Sequence, residues 1–376
     1  MRITDLEVRR VAVNRRGDWL FVQLRTDEGL TGLGEASHGG PGPDRDLTVA
    51  AILREHCRPL LQGRESRDVP ALTTLLRPLA SGLAGATAIS ACEQALWDIA
   101  GKAAGQPVYR LLGGTAAPRI PLYANVNRAT DERTPQGFAR NAAAAVAEGF
   151  KMVKCAPFDG MDRQRLQQPE QQARLRLGLD CIAAIRDAVG DRVNVLVDCH
   201  SRFDVPVALE VARELRSLGV SWFEEPVPTA DLGALARLRP LISDMELIGG
   251  ETLFGLAGFQ PYLDAKVWDV VMPDVKHCGG IAAAVAIAQA ATARGVAVAP
   301  HNPSGPVATA ASAHVAAALP SFRILEYAWG EVGWRADLVT PAERIEHGEL
   351  ILPTGPGLGV TLDEATLAAH QVLGDR

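Results

Sequence analysis

Ionisable side chains recur beyond residue 150, and from Asp198 at a near-constant interval: Lys154, Asp198 with His200, Glu224, Glu251, Asp274, His301 and Glu326. From Asp198 onward the spacings are 26, 27, 23, 27 and 25 residues. One strand-helix unit fills each interval, so residues at successive strand ends converge on one cavity. A single Glu at a strand end is ordinarily a solvated surface group. A whole series in register is not, because crowded carboxylates destabilise a fold unless a cation offsets them.

Asp198, Glu224 and Glu251 offer three hard oxygen ligands on successive strands, a set that favours Mg²⁺, with Mn²⁺ as the alternative, over zinc. Glu225 neighbours Glu224, but strand alternation sends it to the opposite face and to a supporting role. Asp274 and His301 lie one unit apart, where a carboxylate on one imidazole nitrogen raises the basicity of the other, making a proton-transfer dyad. His200 shares a face with Asp198. Lys154 is placed either to bind a substrate carboxylate or to act as a base of lowered pKa. Lys151, three residues earlier, faces away. Arg202, Asn302 and Trp329 are candidate substrate contacts, by their proximity to strand ends. His38, His56, His314, His347 and His370 read as structural histidines, and His277 is left open.

The elements that must position these groups read as follows. Ile3–Val13, Leu20–Thr26 and Leu30–Ala36 have strand character, with Asp27-Glu28-Gly29 as a turn. Gly29, Gly32 and Gly34 lie inside this meander and no helix opens after them, so they are not a phosphate-binding loop. Leu47 to Leu112 is helical in pattern, with small residues in 86–104 spaced for close packing. Beyond Pro118 come short apolar strands alternating with helix-length segments, ending near Asn125, Lys154, Asp198, Glu225, Gly250, Pro273, Pro300 and Glu326. Eight such units are the size of a (β/α)8 barrel. Residues 157–172 are polar and Gln-rich and read as an inserted loop over its mouth.

The expected organisation is α/β: an N-terminal α+β capping domain (1–116), a barrel carrying the site (117–345), and a segment (346–376) returning to the cap. The 376 residues are 47% hydrophobic with a formal net charge of −6, a globular composition without the basic excess of a nucleic-acid binder. The N-terminus lacks a signal-peptide pattern, no segment is long enough to span a bilayer, and the six cysteines form no pairing framework. A cytoplasmic protein with a small-molecule partner, binding neither membrane nor nucleic acid, is expected.

Eight segments together resemble the enolase superfamily, in its mandelate racemase and muconate lactonizing enzyme branch. They are TDEGLTGLGEA (26–36), ALWDIAGKAAGQPVYRLLGG (95–114), GFKMVK (149–154), VDCH (197–200), WFEEP (222–226), GGE (249–251), MPD followed by GG (272–280) and APHNPSGP (299–306). The resemblance implies a modified barrel with a cap over its mouth, Mg²⁺ on Asp198, Glu224 and Glu251, and abstraction of the proton alpha to a carboxylate. It also implies that Glu326 donates a hydrogen bond to the enediolate oxygen, which requires it to stay protonated. Many relatives carry Lys-x-Lys on the second strand; Lys154-Cys155-Ala156 keeps only the first, which disfavours a racemase using the second.

Asp198-Cys199-His200 and His301-Asn302-Pro303 are similar to acid-sugar dehydratases of the galactonate type. The expected reaction is therefore dehydration of an aldonic or related sugar acid to a 2-keto-3-deoxy acid, with His200 as base and His301–Asp274 as the acid. A racemase, epimerase or cycloisomerase on the same intermediate is the alternative, and an acid-sugar binding protein without catalysis is a second. The family association implies a homo-oligomer.

Overall fold

A computed structural model describes residues 1–39, 45–115 and 119–372. The expected boundary at 116/117 lies outside the described residues. The chain opens with an antiparallel meander of β1 (Ile3–Asn14), β2 (Gly17–Thr26) and β3 (Thr31–Glu35), in sheet order β1-β2-β3. Helix Gly82–Ala104 packs across it, ending at Gly105 with φ +63°, the left-handed stop that glycine adopts without strain. The meander's glycines allow that contact. A Cβ on Gly34 would stand 2.1 Å from the Ala91 carbonyl oxygen, and one on Gly32 equally close to that of Ala95.

Eight parallel strands follow: β4 (Arg119–Asn125), β5 (Met152–Cys155), β6 (Asn194–Asp198), β7 (Trp222–Glu224), β8 (Glu246–Gly249), β9 (Val270–Val271), β10 (Ala297–Val298) and β11 (Leu325–Ala328). They pair in chain order, and β11 returns to pair with β4. Closure between β10 and β11 rests on the bridge Val298↔Phe322 and on Arg323 N–H donating to the Val298 carbonyl at 2.9 Å. Seven helices fill the connections, from Pro135–Ala147 to Pro306–Ala318. The eighth unit departs from the expectation: a short 3₁₀ turn, Ala336–Leu338, follows β11 in place of an α-helix. The chain then forms the hairpin Ile345–Glu346 with Glu349–Ile351, which pairs antiparallel with the start of β4. Beyond it, Val372 N–H donates to the Arg10 carbonyl at 2.9 Å, bringing the C-terminal segment back to β1.

Tyr123, Leu196, Trp222, Ile248, Val270, Met272, Ala299 and Ile324 fill the barrel interior. Strand alternation then places the residue two positions further on the same inner face, at the C-terminal mouth. Asn125, Asp198, Glu224, Asp274, His301 and Glu326 each stand two residues beyond one of these apolar groups. Glu251 reaches the mouth differently, after Gly250 at φ +103° turns the chain.

Cap and barrel are joined by buried carboxylates at helix N-termini. Glu35 accepts from Gly305 and Ala308 N–H at 2.8 and 2.9 Å, and Glu93 from Ile281 and Ala282 N–H at 2.6 and 2.9 Å. His314 is structural, as expected: Nε2 donates to the Leu358 carbonyl at 3.1 Å and the ring stacks on Tyr109. Burial lowers its pKa to about 4. A histidine kept neutral in the folded state contributes stability above its unfolded pKa, and loses it as pH falls from about 6.5 towards 4. The loss is expected to reach about 3 kcal/mol. Denaturant titrations between pH 7 and 4 should show a shallower pH dependence in His314→Gln.

Among the described residues no helix is long and apolar enough to cross a membrane.

Candidate active site

At the barrel mouth the ligand oxygens of Asp198, Glu224 and Glu251 lie within 4.8 Å of one another. The fit to a hard divalent cation rests on two observations. The donor set is all carboxylate, and Glu251 Oε2 is buried without a hydrogen-bond partner, although His301 Nε2 stands 3.1 Å away. Burial and the neighbouring Asp198, Glu326 and Glu251 charges push the Glu224 carboxyl up, against the pull of Lys154, so the cluster is short of positive charge. Glu225 is buried behind it at φ +38°, accepting from Thr229 Oγ1 at 2.7 Å, Gly250 N–H at 3.2 Å and Ser201 Oγ at 3.2 Å. That is the supporting role expected of it.

Lys154 corrects one expectation. Its ammonium is 1% exposed and touches Glu224 at 2.7 Å and Glu326 at 2.9 Å, with Asp198 at 3.8 Å. Burial opposes its charge, but the carboxylates outweigh burial and hold the pKa well above the usual lysine range. It is a locked cation, not a base of lowered pKa. Glu326 corrects another. Burial favours its protonated form, yet Lys154 and His301 reverse that and lower the pKa. It accepts from Lys154 Nζ, Asn125 Nδ2 (2.7 Å) and Asn302 N–H (3.0 Å), so it is an ionised acceptor here.

His301 Nδ1 meets Asp274 Oδ2 at 2.8 Å, forming the expected dyad. Asp274 also accepts from Lys276 Nζ at 2.9 Å and from Lys276 N–H at 2.7 Å. Burial opposes the charge on His301, but Glu251, Glu326 and Asp274 raise its pKa to about 9. His200 is built in parallel, with Nε2 2.9 Å from Asp198 Oδ2 and Nδ1 2.6 Å from Asp159 Oδ1. His200 and Ser201 have φ of +45° and +60°, uncommon for such residues and concentrated at this mouth.

Asp159 is a candidate site residue that sequence reasoning missed. It belongs to the segment read as an inserted polar loop, yet Phe158, Met161 and Leu166 bury there, and Phe158 packs edge to face with Phe203 at 5.0 Å. The helix Pro169–Val189 has begun before the expected loop ends. Arg133, 3.1 Å from Asp159, anchors that carboxylate.

A cavity of about 190 Å³ covers the mouth, lined by Asp198, His200, Glu251 and His301 below, and by Arg16, His38, Asn127, Arg128, Thr252, Lys276 and His277 around it. His38, expected to be merely structural, lines it, and so does His277. Of the three candidate substrate contacts, none is among the lining residues. Arg202 donates to the Met161 carbonyl, Asn302 holds Glu326, and Trp329 Nε1 donates to Glu148 at 2.8 Å. Larger cavities elsewhere lack this convergence of carboxylates and imidazoles.

Two family models match the chain, "Mandelate racemase / muconate lactonizing enzyme, N-terminal domain" over residues 8–113 and "Enolase C-terminal domain-like" over 137–366. The chain is 33% identical to a D-xylonate dehydratase of Haloferax volcanii, covering 99% of this chain and 90% of that protein. It is 32% identical to a D-galactonate dehydratase of Ralstonia pickettii, covering 97% and 93%. A crystal structure of a mandelate racemase/muconate lactonizing enzyme from Jannaschia sp. CCS1 superposes with a TM-score of 0.85 at 31% identity, covering 100% of this chain and 99% of the other.

Proposed function

We propose, from the premise that this chain belongs to the mandelate racemase and muconate lactonizing enzyme family of the enolase superfamily, that it dehydrates an aldonic or related sugar acid with the aid of Mg²⁺. The reading rests on one observation above all: two histidine–carboxylate dyads, His301–Asp274 and His200–Asp159, face a single cavity beside the triad Asp198, Glu224 and Glu251. Dehydration needs one group to take the C2 proton and another to protonate the departing C3 hydroxyl.

The triad residues would hold the cation, which supplies positive charge where the substrate carboxylate becomes more anionic. Lys154 adds a fixed positive charge at the same place, and Glu326 is ordered by Asn125 and Asn302 beside it. We assign the base to His301, reversing the expectation from sequence. Its Nε2 lies 3.9 Å from Glu326 Oε2, at the corner where the carboxylate-binding groups gather, and C2 is the carbon next to that carboxylate. Asp274 accepts from Nδ1, which makes Nε2 the nitrogen that exchanges the proton; Glu251, the largest of the charges that hold the ring protonated here, is a carboxylate the cation would occupy, and with that charge met Nε2 would be free to act as the base. His200 is the more exposed imidazole, 34% against 11%, and we place the departing water beside it. It delivers the proton to the C3 hydroxyl as the C–O bond breaks. The resulting enol becomes the 2-keto-3-deoxy acid, with water as the second product.

Asp159 orients and charges His200 without touching the substrate. Asp159→Asn is expected to lower kcat about ten- to a hundredfold while cation affinity, read by calorimetry, stays within error. The reading as a whole is tested by proton NMR in D₂O with Mg²⁺ and a panel of sugar acids, against an EDTA-treated control. The expected result is a metal-dependent 2-keto-3-deoxy product. Deuterium at C2 of an otherwise retained or epimerised acid, with no elimination, would transfer the site to an epimerase.

The proposal places the enzyme in the cytoplasm as a homo-oligomer; for the compartment, its support is six buried, unpaired cysteines.

A further inference from the structure

The part of the cavity wall contributed by the N-terminal meander and by the loop after β4 is built for negative charge. Arg16 and Arg128 line it together with His38. Arg128 is paired, with Glu331 at 2.9 Å. Arg16 is poorly served. Its only described anionic neighbour is Asp159 at 3.6 Å, and that carboxylate is already engaged by Arg133 at 3.1 Å and by His200 at 2.6 Å. Arg16 Nε is buried without an acceptor.

Both ring nitrogens of His38 are likewise buried without partners. Burial, with Arg128, Lys276 and Arg45 facing the ring, holds its pKa well below the usual value, so it presents a neutral imidazole with one N–H to give. Buried donors left unpaired cost free energy that an anionic acceptor would recover. A terminal hydroxymethyl group is a weak acceptor and carries no charge; a second carboxylate satisfies a guanidinium in the fork geometry it prefers.

Resting on the dehydratase reading above, we infer that the substrate carries a second anionic group besides the carboxylate next to C2, as an aldaric acid does, and that Arg16 with His38 and Arg128 grips it. The relatives compared above are named for aldonic acids, with a neutral far end, so this would separate the chain from them in substrate.

The test is steady-state kinetics of the Mg²⁺-loaded protein on hexonates, the hexarates of matching stereochemistry and the 6-phosphohexonates. The expected result is a kcat/KM for the best hexarate about 100-fold or more above that for its hexonate. In Arg16→Gln the hexarate-to-hexonate ratio is expected to fall about 100-fold, chiefly through KM. Preference for a phosphohexonate, lost in the same variant, would keep the anionic end and assign it to phosphate. A hexonate turned over as well as its hexarate, or an equal loss on both substrates in Arg16→Gln, would overturn the inference and leave the dehydratase reading standing. Turnover of no acid in the panel would overturn both.

Discussion

His301→Asn is expected to lower kcat about 10³- to 10⁴-fold and to stop exchange of the C2 proton with D₂O, whereas His200→Asn should lose elimination to a similar degree and still exchange C2. The asymmetry follows from the order of bond breaking. Without the base no carbanionic species forms, and neither exchange nor product appears. Without the acid the C2 proton leaves and returns, but the C3 hydroxyl departs unprotonated and slowly. A factor of 10⁴ corresponds to about 5.5 kcal/mol of barrier, within the reach of one proton-transfer group. Asn is chosen because it retains a polar planar group near the carboxylate partner of each ring, Asp274 at 2.8 Å or Asp159 at 2.6 Å. Exchange measured by NMR on one acid, in both variants and with Mg²⁺ present, decides the assignment. Exchange lost in His200→Asn and kept in His301→Asn would restore the roles first expected from sequence.

Why the sequence pointed to the residues that meet at the barrel mouth and not to their charge states is a matter of distance along the chain. Asp198, Glu224, Asp274, His301 and Glu326 were legible because each follows an apolar residue of the barrel interior by two positions, and alternation carries that register to the mouth. Glu251 was legible from its spacing alone. The protonation states were not legible, because they depend on contacts across the barrel. Lys154 on β5 reaches Glu224 on β7 and Glu326 on β11, and these pairings, with His301 beside Glu326, keep the ammonium charged and lower the Glu326 pKa. Asp159 was hidden for a different reason. It lies in a segment whose polar residues suggested a loop, while three scattered apolar residues, Phe158, Met161 and Leu166, were enough to pack it down. Arg16 and His38 come from the meander and its exit, and no periodicity in the chain relates them to a cavity some 160 residues on. The use of the β3 glycines, admitting a helix backbone, required the structure.

Glu251→Gln is expected to abolish the stabilisation that Mg²⁺ confers, together with activity, while leaving the metal-free protein about as stable as the parent. A carboxylate kept only for its contacts would behave oppositely, since its loss would lower the metal-free melting temperature. Here Glu251 Oε2 has no hydrogen bond to lose, and its charge raises the pKa of both Glu224 and Glu225. Neutralising it relieves repulsion from Glu224 and Glu225 and forfeits its attraction for His301 at 3.1 Å, and because these terms oppose each other the metal-free midpoint should stay within about 3 °C of the parent. The cation term is separate: a ligand at 100 times its Kd stabilises the folded state by about 2.7 kcal/mol, which the parent should show as a rise in midpoint and the variant should not. Differential scanning fluorimetry with EDTA and with excess Mg²⁺ reads both terms on the same samples and needs no substrate. An unchanged Mg²⁺ shift in Glu251→Gln would remove this residue from the cation site, whatever happened to turnover. A midpoint lowered by several degrees in EDTA would instead make Glu251 a structural carboxylate, and the surplus of negative charge at the barrel mouth would need another explanation.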